Sequence, residues 1–121
     1  MSYFTVLREA GTTWRDGGIA SQPAMDEHAA FMNALTDEGL VLFAGPLAGT
    51  EAGLLHAQLI INAGNEAEIR RRMTDDPWSI SQQLKITSIE SWNVFVGAER
   101  LATVSAARGY PPDRQSATLA T

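Results

Sequence analysis

Apolar positions repeat along this chain with a period of two in three stretches, run continuously in a fourth, and repeat with a period of three to four in two others. In residues 2–9, SYFTVLRE, Phe4, Val6 and Arg8 share one side and Tyr3, Thr5 and Leu7 the other, as on a strand. Both sides carry apolar groups, so both are expected to be covered. Residues 40–44, LVLFA, form a continuous apolar run closed by Gly45-Pro46. They predict a central strand buried on both sides, with pairing ended or kinked at Pro46 for want of a ladder donor. In residues 54–62, Leu55, Ala57, Leu59 and Ile61 line one face and Leu54, His56, Gln58 and Ile60 the other. The glycine-rich turn at 47–53 makes this strand the antiparallel partner of the preceding one. Residues 84–96 predict a last strand. Leu84 and Ile86 alternate, as do Trp92, Val94 and Val96, but Ile89 falls out of register with them. A bulge or bend at 88–90 would reconcile the two halves.

The longer period marks two helices. Residues 23–38 begin with Pro23, suited to a first helical position. Asp26 and Glu27 then stand at the positive end of the helix dipole. Met25, His28, Ala29, Met32 and Leu35 make one face, expected to be buried, and Gly39 is placed as the left-handed stop. The second helix opens at Asn65, with Glu68 three residues on as in a capping box. Ile69 and Met73 form its narrow apolar stripe, and Arg70, Arg71 and Arg72 a solvated face. Asp75 and Asp76 stand at its end, before the stop at Pro77, where carboxylates oppose the dipole. Acids placed against the local field call for another reason.

Strand, helix, strand, strand, helix, strand is the ferredoxin-like βαββαβ plan of an α+β protein: an antiparallel sheet with two helices on one face. The other face retains apolar side chains from at least three strands. A homodimer joined face to face would cover them. Residues 1–97 make this domain. Residues 98–121, rich in Ala, Ser and Thr with Pro111-Pro112, form a C-terminal extension expected to dock on the domain or on its dimer partner. The thirteen residues 10–22 are a long loop carrying Trp14, read either as a cover for the core edge or as facing a substrate.

Composition narrows the function. The chain has 121 residues and a net charge of -5, which disfavours nucleic acid and membrane surfaces as partners. It has no cysteine, excluding disulfides and thiolate chemistry, and its two histidines leave little for a metal site. No signal peptide or spanning segment is legible, so a cytoplasmic location is expected.

The opening YFTVLREAG, the helix HAAFMNALTDEG, Gly45-Pro46 at the strand end and Asp76-Pro77-Trp78 resemble the YciI-like (YCII-related) family over residues 3–95. The resemblance implies a dimeric α+β barrel and a histidine–aspartate pair, here His28 and Asp76, in a pocket. It also implies a scaffold able to host acid–base chemistry on small ring compounds, as in a relative that dehydrochlorinates a hydroxyquinol. The tail after Gly97 departs from the family pattern.

The expected function is therefore that of a small-molecule enzyme without cofactor or metal, of isomerase, lyase or dehydrochlorinase type. His28 and Asp76 would be catalytic, the carboxylate orienting the imidazole and fixing its tautomer. Arg8 would hold an anionic group, Trp14 would exclude water, and Gly45 and Pro46 would shape the pocket rim. The alternative is a non-catalytic dimeric module that binds a small ligand or a protein, with His28 and Asp76 only anchoring two elements. A haem-degrading variant would have His28 alone as axial ligand, and nothing supports it. His56 reads as structural.

Overall fold

A computed structural model describes residues 2–50 and 54–107, with side chains through residue 104. Four antiparallel strands, β1 (Ser2–Ala10), β2 (Val41–Pro46), β3 (His56–Ala63) and β4 (Leu84–Ser91), form one sheet in the order β2-β3-β1-β4. Helices α1 (Met25–Glu38) and α2 (Glu66–Met73) connect them. This is the ferredoxin-like α+β plan read from the sequence.

The alternation in β1 holds: Phe4, Val6 and Arg8 are buried, and Tyr3, Thr5 and Leu7 are half-buried on the opposite face. Val6 lies between Leu59 and Ile89, and Arg8 between Ala57 and Ile86. The register against β4 shifts between Leu7 and Arg8, so that Thr87 is the extra residue. That bulge lets Leu84, Ile86 and Ile89 all face inward, and it sits one residue ahead of the expected 88–90. Leu35, Ile69 and Met73 from the two helices meet Phe4, Val6, Leu59 and Ile61 in one core. Fully buried side chains such as Val6, Ile61 and Ile69 contribute roughly 1.5–3 kcal/mol each.

Several expectations are corrected. β2 is an edge strand, not a central one. Leu40, Val41 and Leu42 are buried in succession because a bulge between Val41 and Phe43 breaks the alternation, whereas Phe43 to Pro46 are exposed. α1 starts at Met25 rather than Pro23, capped by Ala24 in the left-handed region at φ 57°. The Pro23 carbonyl is turned out to accept the Trp78 indole N–H at 2.6 Å. Gly39 ends α1 at φ 90° as expected, its N–H reaching the Leu35 and Thr36 carbonyls.

Of the predicted buried face of α1 only Leu35 is buried, and Met25 and Ala29 are exposed. Met25, His28 and Ala29 of its first half stand over a cavity, while Phe31 and Met32 pack against the core. The last strand stops at Ser91, and Phe95 and Val96 are about nine-tenths exposed. Beyond them the extension contains a helix, α4 (Ala98–Ala107). Leu101 and Val104 of α4 border a groove of about 270 Å³ with Phe43 and Ile60 on the open sheet face. Residues 108–121, including Pro111-Pro112, lie outside the described residues.

Candidate functional site

The end of α2 places the site. Asn65 caps the helix as expected, its Oδ1 accepting the Glu68 N–H at 2.8 Å, while the Glu68 carboxylate accepts from Gly64, one residue before the cap. The helix ends at Met73. The residues read as a connector form another helical turn, α3 (Pro77–Ile80), and Asp76 is its N-cap. Asp76 Oδ1 accepts the Trp78 N–H at 2.9 Å. The carboxylate that looked misplaced at a helix C-terminus therefore stands at the favourable start of the next one.

That cap is fully buried and has two further partners. Arg8 Nη1 donates to Oδ2 at 2.8 Å, and His28 Nδ1 lies 2.9 Å from Oδ1 and 3.0 Å from Oδ2. β1 supplies Arg8 because its inward alternation reaches that level of the sheet. α1 supplies His28 from its first turn. Burial pushes the Asp76 carboxyl up, but the His28 hydrogen bond, the Arg8 charge and the Trp78 N–H outweigh it and hold the group below the usual carboxylate range. Arg8 is 2% exposed, and burial pulls it below its ordinary value against the opposing effect of Asp76. A guanidinium stays charged nonetheless. Its Nη2 donates to Ser79 Oγ at 2.8 Å, and its Nε is buried without a partner.

The His28 ring is stacked flat on the Trp78 indole, with centroids 3.9 Å apart and planes 7° from parallel. The edge of Trp14 meets Trp78 at 6.0 Å and 86°. One side of His28 borders a cavity of about 250 Å³. Met25 and Met32 of α1, Leu59 of β3, Gly45 and Pro46 of β2, Trp78 and Arg8 are among the residues that line it. Asp76 bonds Nδ1, and this fixes the tautomer in which Nδ1 carries the proton. Nε2 is then the nitrogen with a free lone pair.

The comparisons with known proteins bear on the fold. The chain is similar to 5-chloro-2-hydroxyhydroquinone dehydrochlorinase from Burkholderia phenoliruptrix, solved in complex with 2,5-dihydroxybenzoquinone. The match has a TM-score of 0.53 and 22% identity over 75% of this chain and 93% of that one. The likeness is one of fold. No protein-family model and no curated protein matches the chain.

The six residues singled out in the sequence are distributed as follows. His28, Arg8, Gly45 and Pro46 border the cavity, and Asp76 lies behind His28. Trp14 does not line the cavity; it packs with Ile19 against Trp78 and covers the core edge. Arg8, which borders the cavity, gives one N–H of Nη1 to Asp76 and one of Nη2 to Ser79. Trp78, Ser79 and the two methionines were missed. Ser79 lies one helical turn after Asp76, a spacing legible only once α3 is known to exist. No group of three or more metal-ligating side chains occurs among the described residues. No helix there is long and apolar enough to cross a membrane.

Proposed function

We propose that this chain is a cofactor-independent small-molecule enzyme in which His28 Nε2 takes a proton from the substrate. One observation carries the reading: His28 presents an oriented, single-tautomer imidazole to a cavity while a fully buried carboxylate holds its other nitrogen. Proton removal turns the imidazole into an imidazolium. The charge it gains faces Asp76 and the Trp78 ring, both already in place, so stabilisation grows as the reaction proceeds. Such general-base catalysis is typically worth about 10²–10⁴-fold. The proton then returns to another position, giving isomerisation, or the substrate anion expels a leaving group, giving elimination. The structurally similar protein is by name a dehydrochlorinase, and loss of hydrogen chloride is an elimination within reach of the same base.

The cavity limits the substrate. Its volume lies just below the roughly 300–1,000 Å³ of ligand sites, and its wall is mainly apolar. Its cation, Arg8, is already neutralised by Asp76. A substrate of this site is small and enters uncharged, acquiring negative charge only opposite the newly formed imidazolium.

The test is solvent-deuterium exchange and product release with a panel of chlorinated hydroxyquinols and enolisable small carbonyl compounds. Wild-type protein should turn over or exchange at least one of them, and His28→Gln should lower that rate by about 10²–10⁴-fold. Equal rates in the two proteins would remove His28 from the chemistry. Binding without exchange in either would leave the chain a ligand-binding module.

A further inference from the structure

A second and larger groove, of about 580 Å³, lies on the other side of α3. Met73, Ile80 and Ile86 give it an apolar wall, and its polar lining consists of Arg70, Lys85, Ser79, Gln82 and two threonines. It contains no histidine and no carboxylate, so it has no general base. What it offers are donors. The Lys85 ammonium has no ion pair or hydrogen bond among the described residues. Glu9, opposite it in the sheet, receives the Thr87 hydroxyl instead. Arg70 gives only its Nε to Glu66, at 3.0 Å. Gln82 Oε1 accepts from Thr12, leaving its NH2 to donate, and Ser79 Oγ accepts from Arg8, leaving its O–H. On a chain of net charge -5 the lining carries two cations and no acid, and of the two only Arg70 is paired with a carboxylate, that of Glu66.

The rim of this groove is strained and held. Gln82 is a non-glycine residue at φ 66°. The loop after β1 fixes it there: Thr13 N–H bonds the Gln82 carbonyl at 3.2 Å, Gly11 N–H bonds Gln83 at 2.7 Å, and the Thr13 hydroxyl bonds Ser81 at 2.7 Å. Backbone strain that neighbours over-determine in this way gathers at ligand sites and switches.

We propose that the groove binds a small carboxylate with an apolar body, and that its occupancy is transmitted to His28. The carboxylate meets Lys85 and Arg70, with the Ser79 and Gln82 donors beside them, and the body rests on Ile80 and Ile86. Transmission runs through Ser79, which lines the groove and bonds Arg8 Nη2; Arg8 Nη1 bonds Asp76; and Asp76 bonds His28. A bound anion that takes the Ser79 hydroxyl redirects its lone pairs and shifts Arg8 on the shared carboxylate. The transmission half rests on the reading of His28 as the working base, but the binding half does not.

The experiment uses benzoate as probe and benzyl alcohol, the same ring without the charge, as control. Benzoate should shift the amide signals of Thr12 and of residues 79–85 saturably, at a Kd of about millimolar, and benzyl alcohol should not. The double variant Arg70→Met, Lys85→Met should weaken benzoate roughly tenfold while keeping the wild-type amide pattern elsewhere. The His28 ring signals should move in the wild type at saturating benzoate and stay still in Ser79→Ala at its own saturation, where the lost donor should weaken binding only a few-fold. No saturable shift, or binding indifferent to the double variant, overturns the site. Bound benzoate that leaves the His28 ring signals unmoved overturns the transmission. Neither readout needs turnover, so failure here is distinct from failure of the proposed activity.

Discussion

Replacing Asp76 with asparagine isolates what the buried charge does. Asparagine caps a helix about as well as aspartate, so the bond from Trp78 N–H survives and the capping loss is close to zero. An amide oxygen also remains for His28. What disappears is the negative charge opposite Arg8, whose side chain is 2% exposed and whose partner is fully buried at 2.8 Å. Removing one member of a buried pair costs about 3–5 kcal/mol, because the remaining charge is left uncompensated away from water. For a domain of this size that lowers Tm by roughly 10–20 °C. Urea unfolding at pH 7 measures it directly.

The pH dependence gives a second check on Asp76→Asn. The folded-state carboxyl lies below its ordinary value, so the folded protein binds fewer protons than the unfolded one. Its stabilisation is complete above the unfolded value of about 3.9 and is lost as pH falls through the folded one. The gap between wild type and Asp76→Asn should therefore narrow below about pH 4. Removing both charges, in Arg8→Met with Asp76→Asn, should cost less than Asp76→Asn alone. A loss under about 1 kcal/mol at pH 7, or a double variant less stable than the single, would refute the claim that Arg8 is a buried cation dependent on Asp76.

Three further outcomes follow from the geometry. Gly11→Ala should destabilise by about 1–3 kcal/mol in chemical denaturation, since the new Cβ would stand 2.1 Å from the Gln82 carbonyl oxygen; an unchanged midpoint would show that the loop is not held there. Trp78→Leu removes the stacked ring and the indole bond to Pro23, and should cost about 2–4 kcal/mol; crystals of it with His28 unmoved would show that Asp76 alone orients the imidazole. We propose that the open sheet face, with Phe43 54% and Trp92 42% exposed, joins two copies, so that sedimentation at micromolar concentration should give a homodimer and Phe43→Glu a monomer; wild type running as monomer would end that proposal.

The fold was legible because periodicity and stop signals agreed. The two-residue alternation of β1 and β3, the stripe of Ile69 and Met73, and Gly39 at the end of α1 each carry one physical demand, and the chain satisfies it. The misses occurred where a residue answers two demands. LVLFA reads as doubly buried, yet it owes its three successive buried residues to a bulge at a sheet edge. Met25, Ala29 and Met32 carry a core-like spacing, but the surface they make belongs to a cavity. Hydrophobic spacing identifies a face that avoids water and does not say whether protein or ligand covers it.

Asp76 shows the same limit more sharply. From sequence it was conspicuous as a carboxylate at the negative end of a helix, and that oddity pointed to a function. The local reason was mistaken, since the acid begins α3 and is electrostatically at home there. The pointer was still useful, because an N-cap needs only one of the two carboxylate oxygens and normally stands in water. Here the cap is fully buried and surrounded by an arginine, a histidine and a backbone N–H. Capping alone would be served by asparagine or serine without the cost of burying an ion. A buried ion that must be balanced by a second buried ion is costly as a device for stability alone. It is a reasonable one for holding an imidazole in a single tautomer beside a cavity, and under the proposed function the charge would be put to use when the imidazole gains a proton.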